Sequence, residues 1–215
     1  EQRCGDRTPM VSSRPMIFVG LTGGVATGKS TVAKMLERCG ALVIDADVLA
    51  HQVMEPDKPA WRAIVKTFGK AVVNPDRTIN RPALGAMVFR NRAKLRLLEK
   101  IIHPRVAREQ ARLTRLATRK DPKAVVIYDV PLLYEAGIDA RVNKVIVVTA
   151  DRETQISRLK IRNGLTRTEA LRRIRNQWPL RNKVAAADYV LDGTTARPRL
   201  FTLAKSLYRE LVRLT

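Results

Sequence analysis

The chain has 215 residues, 45% of them hydrophobic, and its 41 lysines and arginines against 20 aspartates and glutamates give a net charge of +21. That length suits one α/β domain with a sizeable core, and the composition excludes a disordered chain. No apolar run reaches the ~18–20 residues of a membrane span, and two cysteines (Cys4, Cys39) with two histidines (His51, His103) exclude a disulfide framework and a zinc centre. The charge excess favours polyanionic partners: nucleic acid, an acidic membrane surface or a phosphate-rich small molecule. The basic residues lack the aromatic interleaving of a base-stacking platform, so a solvated basic surface around phosphate ligands is the simpler reading.

Residues 1–15 contain arginine, proline and serine without usable periodicity and read as a loose leader, with Met10 and Met16 as candidate starts. Glu1 and Asp6 argue against a transit peptide. A buried strand, Ile17–Leu21, then runs straight into a loop matching G-x-x-x-x-G-K-[ST] at Gly23, Gly28, Lys29 and Ser30. Glycines let such a loop curl and aim backbone N–H groups at phosphate oxygens. Lys29 is placed to reach the β- and γ-phosphates, and the Ser30 hydroxyl to ligate Mg²⁺. A helix starting near Lys29 adds the positive end of its dipole.

The second strand, Leu42–Ile44, ends in Asp45-Ala46-Asp47. Ligands bind at the carboxyl ends of strands in an open parallel sheet, which brings this pair beside the loop. In extended chain, residues two apart share a face. One carboxylate there can take a hydroxyl proton while another holds Mg²⁺ or orients the acceptor. Asp47 also suits the cap of a helix beginning at Val48, a role compatible with catalysis. Helical patterns follow at Asp47–Met54, Pro59–Phe68, Arg81–Phe89 and Arg92–Thr118, the last with an expected kink at Pro104. Trp61, Phe68 and Phe89 read as core of this insertion, and His103 as a packing or capping group.

The third strand, Val125–Asp129, is a hydrophobic run closed by an aspartate, the form of a Walker B strand, so Asp129 is a second candidate Mg²⁺ ligand. Leu132-Leu133-Tyr134-Glu135 is too apolar for a GTPase switch, and no Asn-Lys-x-Asp signature is present. A small-molecule kinase fits best. Val145–Val148 and Tyr189–Leu191 complete five candidate strands. Arg152–Trp178, broken at Asn163-Gly164, reads as a two-helix lid in which Arg158 and Arg162 share a face above a triphosphate. A final helix places Leu200, Leu203, Ala204, Leu207, Leu211 and Leu214 at core spacing, opposite Arg199, Lys205, Arg209 and Arg213.

These features in order resemble the dephospho-coenzyme A kinase family. The match is carried by Gly20–Thr31, Val43-Ile44-Asp45-Ala46-Asp47, Ile79-Asn80-Arg81, His103-Pro104, Val130–Glu135 and the lid segment Thr154–Arg158 with Arg162, Arg173, Gln177 and Ala187-Asp188. The resemblance implies an α/β fold of P-loop NTPase type: a five-stranded parallel sheet flanked by helices, a helical acceptor-binding insertion and an arginine-rich lid. The nucleotide core would take 16–49, 121–150 and 179–215, the insertion 50–120 and the lid 151–178. It implies transfer of the γ-phosphate of ATP, with Mg²⁺, to the ribose 3′-hydroxyl of dephospho-CoA, giving CoA and ADP. Asp47 would be the base, assisted by Lys29 and Arg158. Gly23, Gly24, Val25, Ala26, Thr27, Gly28, Lys29, Ser30, Thr31, Arg158 and Arg162 would hold the nucleotide. Thr22, Asp47 and Arg81 would hold the acceptor, and Ser30 and Asp129 the metal. Asp192-Gly193-Thr194-Thr195 departs from the Asn-x-Gly often found after the last strand, in a loop that tends to lie near adenine.

No nucleic acid partner is expected, and the cytoplasm is the expected compartment, with an organelle left open by the N-terminal extension. Another P-loop nucleoside or nucleotide kinase is the alternative, followed by a basic nucleic-acid-binding P-loop ATPase.

Overall fold

The computed structural model describes residues 16–215; the expected leader, with Cys4 and Met10, lies outside the described residues. Five parallel strands form one sheet in the order β2-β3-β1-β4-β5. They are β1 (Ile17–Gly23), β2 (Leu42–Asp45), β3 (Val125–Asp129), β4 (Lys144–Thr149) and β5 (Tyr189–Asp192). Each strand found in the sequence is present, and four of them extend one or two residues further because ladder pairing outlasts the apolar run. The chain reverses its winding at β1, which pairs with β3 on one side and β4 on the other. A crevice therefore opens at the carboxyl end of β1, where the phosphate loop sits.

Side chains alternate across the pleat, so each strand feeds two cores. Val19, Leu21, Ile127, Ile146 and Val148 point to one face. There they meet α1 (Lys29–Arg38) through Val32 and Leu36, and α9 (Arg197–Arg213) through Leu200, Ala204, Leu207 and Leu211. The α9 residues at 200, 204, 207 and 211 form the centre of the buried stripe. Leu203 and Leu214, expected in it, fall on its margin and are exposed. Val126, Tyr128, Val145 and Val147 point to the other face, against Leu49 of α2 (Ala46–Val53) and Val106 of α5 (Arg92–Lys120). Complete burial of such an aliphatic side chain contributes about 2 kcal/mol, so both layers hold the sheet firmly.

The segment between β2 and β3 is helical, as its periodicity predicts: α2, α3 (Pro59–Phe68), α4 (Arg81–Phe89) and the 29-residue α5. It has a core of its own, built from Ile64, Phe68, Val72, Ile79, Leu84 and Val88. Phe89, expected inside, is 79% exposed at the C-terminal end of α4. Helix α5 continues through Pro104 without a break, and the Arg105 guanidinium donates to the Ile101 carbonyl at 2.5 Å. Leu95, Leu98 and Ile101 of α5 pack on the insertion's core, Leu113 and Ala117 on the sheet core, and Ile102 on both.

The arginine-rich region folds as α6 (Arg152–Asn163) and α7 (Arg167–Arg175), separated where Gly164 takes a left-handed φ of 65°. Its small core of Ile156, Leu159 and Ala170 packs against Val25 and Ala26 of the phosphate loop. A short helix, α8 (Leu180–Ala185), follows and has no counterpart in the sequence reading.

Candidate active site

Gly28 occupies the N-cap of α1 at φ 103°, a left-handed geometry that an L side chain resists, and no side chain caps the helix. The N–H groups of Lys29 and Ser30 in the first turn can thus turn to an external acceptor such as phosphate, while that of Thr31 donates to the Gly28 carbonyl. A cleft of about 730 Å³ lies over this turn. Every residue from Gly23 to Thr31 lines it, together with Asp47, Arg158 and Arg162. The positions expected to hold a nucleotide are thus brought together from β1, α1 and α6, beside the expected base Asp47 of α2.

Arg158 does more than face the cleft. Its Nη1 donates to the carbonyls of Ala26 (3.1 Å) and Thr27 (3.0 Å), and its Nη2 to that of Gly193 (2.8 Å). The guanidinium therefore fastens the lid to the loop and to the turn after β5. Arg162, one helical turn on, is exposed, and its Nε donates to Asn163. Gly193 and Thr195 also line the cleft. A Cβ on Gly193 would sit 1.9 Å from the Thr27 carbonyl oxygen, so only glycine allows the two turns to approach. The Asp192 carboxylate folds this turn by accepting from the Thr194 N–H and hydroxyl.

The second strand stops at Asp45, which caps α2 by accepting from the N–H groups of Asp47 (2.8 Å) and Val48 (3.1 Å). Asp47 thus stands in the first turn of a helix that starts at Ala46. The sequence reading, with both carboxylates on one face of extended chain and Asp47 as the cap, is corrected: Asp45 is the cap, and Asp47 is exposed and left to face solvent and ligand. Asp47 lines the cleft and also a second cavity of about 620 Å³. That cavity is bounded by Ile102, His103 and Val106 of α5, by Tyr128 and Val130, and by Leu132, Glu135 and Arg141. His103, read as a packing group, therefore lies on a cavity wall.

Asp129 is buried at the end of β3, in register with Asp45 of β2, and forms an ion pair with Lys29. Burial raises its carboxyl above the ordinary 3.8, and the nearby Asp45 and Asp47 push the same way against Lys29. Among the described residues no group of three or more His, Cys, Asp or Glu is placed to hold a metal. The donors at hand are oxygens, the Asp129 carboxylate and the exposed Ser30 hydroxyl, which suit a hard cation sharing its remaining positions with phosphate and water.

Two residues expected to hold the acceptor line neither cavity. Thr22 is fully buried in β1, and its hydroxyl donates to the Pro131 carbonyl at 3.0 Å, so it lines neither cavity. Arg81 lies outside both as well, where its guanidinium meets His51 Nε2 on α2. Several residues that build the site were given no role by sequence reasoning, although Gln155, Arg173 and Gln177 carried the family match. Gln177 Oε1 accepts from the Val25 N–H (2.7 Å), and Gln155 Nε2 donates to the Val25 carbonyl (2.7 Å), clamping the loop from the lid side. Gln177, Arg173 and Arg197 also line the cleft.

A phosphate loop and a carboxylate that belongs to two adjoining cavities describe a two-substrate phosphotransferase, and relatives agree. The family model for dephospho-CoA kinase matches residues 17–197. The chain belongs to the dephospho-CoA kinase family. It is similar to dephospho-CoA kinase from Geobacter metallireducens, 47% identical over 92% of this chain and 98% of that protein. A second relative, dephospho-CoA kinase from Halalkalibacterium halodurans, is 44% identical over 83% of this chain and 88% of its own length. The crystal structure of TT1252 from Thermus thermophilus superposes with a TM-score of 0.78 at 35% identity, covering 94% of this chain and 99% of that one. Dephospho-CoA kinase from Campylobacter jejuni, 22% identical with a TM-score of 0.61 over 91% of this chain and 97% of that chain, shares the fold. The fold is that of the P-loop kinases, a parallel five-stranded sheet flanked by helices. Among the described residues no helix is long and apolar enough to cross a membrane.

Proposed function

We propose that this chain transfers the γ-phosphoryl group of ATP to the ribose 3′-hydroxyl of dephospho-CoA, releasing CoA and ADP. The observation that carries the reading is the position of Asp47, among the described residues the one side chain common to the wall of the phosphate-loop cleft and that of the neighbouring cavity. ATP takes the first and the acceptor the second, so the reacting oxygen and phosphorus meet at this carboxylate. Asp47 accepts the 3′-hydroxyl proton as the new O–P bond forms, and the bond between the γ-phosphorus and the β–γ bridging oxygen breaks, leaving ADP.

The remaining roles follow from charge and place. Gly23 through Thr31 cradle the phosphates with backbone N–H groups. Lys29 exchanges Asp129 for the γ-phosphate, and Arg162 offers an exposed guanidinium from the lid. Arg158 contributes by holding the loop and lid in register. Ser30 and Asp129 would hold magnesium, which would supply charge neutralisation to the phosphates. Arg81 flanks the acceptor side through His51, next to Ala50 on the cavity wall. Thr22 acts indirectly, by fixing the Pro131 carbonyl in the segment between the two cavities. The nucleotide core then spans 16–49, 121–150 and 179–215, with the acceptor insertion at 50–120 and the lid at 151–178. A reducing compartment, the cytoplasm, matches Cys39 as a free thiol.

Coupled ADP release tests this directly, with dephospho-CoA, AMP, a nucleoside and DNA offered separately. Turnover is expected with dephospho-CoA alone; DNA-stimulated hydrolysis without it overturns the reading.

A further inference from the structure

Lys183, in α8, is the largest entirely buried side chain among the described residues, and the chemistry described so far makes no use of it. An ammonium in such a place is costly unless fully engaged. Its Nζ donates to the Glu135 carboxylate at 2.8 Å and to the Pro131 carbonyl at 3.1 Å. Both partners are busy. The Pro131 carbonyl also accepts from the Thr22 hydroxyl, and Glu135 Oε1 accepts from the Trp178 N–H at 2.8 Å. The Tyr134 ring packs on Trp178 with centroids 5.4 Å apart.

These contacts join three parts of the molecule. Pro131 lines the nucleotide cleft, whereas Leu132 and Glu135 line the second cavity, so residues 131–135 are a partition between the two. Trp178 directly follows Gln177, whose side chain holds the Val25 N–H of the phosphate loop. Lys183 thus ties the partition on one side to the strand that leads into the loop, and on the other to the trailing end of the lid. Burial alone would raise the Glu135 carboxyl, but the Lys183 ammonium and the Trp178 N–H more than offset it and hold it below 4.5.

We infer that Lys183 is a positioning residue for phosphoryl transfer: through Glu135 and Pro131 it sets the partition between the nucleotide cleft and the acceptor cavity and locks it to the lid. The assignment of the second cavity to the acceptor rests on the functional reading above. The partition is only five residues long and carries contacts for both substrates, so a small displacement is felt at the reacting centre. Misplacement of about 1 Å there is enough to lower turnover by roughly a hundredfold.

The test is Lys183→Met, which keeps the buried volume while removing the charge. In the intact protein three quantities are read: the KM for dephospho-CoA with kcat, the Kd for ATP, and hydrogen exchange at the Trp178 and Val25 amides. The expected result is a rise of roughly tenfold or more in acceptor KM together with a loss in kcat. ATP affinity should stay within about twofold, and the Trp178 amide should exchange at least roughly tenfold faster at unchanged global stability. Lys183→Met with wild-type acceptor kinetics, or with a loss confined to thermal stability, overturns the inference. If that variant does not fold, Glu135→Gln gives the same readings in smaller measure, and unchanged acceptor kinetics there overturns it equally. Should the wild-type protein fail to use dephospho-CoA, the functional reading falls on its own. Amide exchange then decides the inference: acceleration at Trp178 in the variant supports the lock, and unchanged exchange removes it.

Discussion

The two cavities that meet at Asp47 are made in different ways. The nucleotide cleft is formed largely by consecutive backbone, Gly23 to Thr31, stiffened from outside by Arg158, Gln155, Gln177 and the Gly193 turn. The second cavity is assembled from side chains scattered over α2, α5 and the 128–141 segment. A backbone cradle recognises what all nucleoside triphosphates share, whereas an assembly of side chains can be tailored to one acceptor. The difference separates binding that is generic from binding that confers identity.

The sharpest way to break this comparison is at the residue common to both cavities. Asp47→Asn keeps size and polarity but removes the proton acceptor. We expect kcat to fall by roughly 10²–10⁴-fold, with ATP affinity nearly unchanged when measured by nucleotide titration. Near-normal turnover would remove Asp47 as the base.

A second variant acts on the backbone-built side alone. In Gly193→Ala the added Cβ would lie 1.9 Å from the Thr27 carbonyl. The loop must shift, and denaturant unfolding should register a loss of about 3 kcal/mol. The KM for ATP should rise more than that for the acceptor. Equal changes in both would show that the two cavities are not separable in this way.

The smallest expected effect concerns acid, and it addresses the side-chain-built cavity. Lys183 and Trp178 depress the Glu135 carboxyl below 4.5, despite burial. A depressed carboxylate stabilises the fold above its ordinary value, and that stabilisation is lost as the pH falls through the lowered one. The melting temperature of Glu135→Gln should lie below that of the wild type at pH 6–8. The gap should then close on acidification below about pH 4.5. A gap that persists in acid would show that shape, not charge, holds the partition.

What the sequence disclosed about the site divides along the same line. The phosphate loop could be read because its parts are consecutive and each residue type has a fixed task there. Asp47 could be read because it follows a strand end. Its companion Asp45 was misjudged: whether residues two apart share a face depends on the chain staying extended, and α2 begins between them. Thr22 and Arg81, expected to hold the acceptor, line neither cavity: the Thr22 hydroxyl is engaged with the Pro131 carbonyl and the Arg81 guanidinium with His51. Gln177, Gly193 and Lys183 act through contacts between residues 35 to 152 positions apart, with no local periodicity. A signal for Lys183 was present nonetheless. It sits three residues after Leu180 and one before Val184, so a helix places the lysine on the same apolar face. For the fold, the five apolar runs and the helical periods were sufficient, and element ends were where pairing or capping overrode them.

Helix α5 carries a consequence for how the molecule holds together. Its first half is part of the insertion's core, its second half part of the sheet's, and Ile102 belongs to both. The insertion cannot detach as a module without splitting a single 29-residue helix and opening two packed interfaces at once. The walls that helix contributes to the second cavity are therefore as permanent as the sheet itself. The α6–α7 unit, by contrast, rests on a separate core only three buried side chains deep, and regions with few buried contacts open most readily.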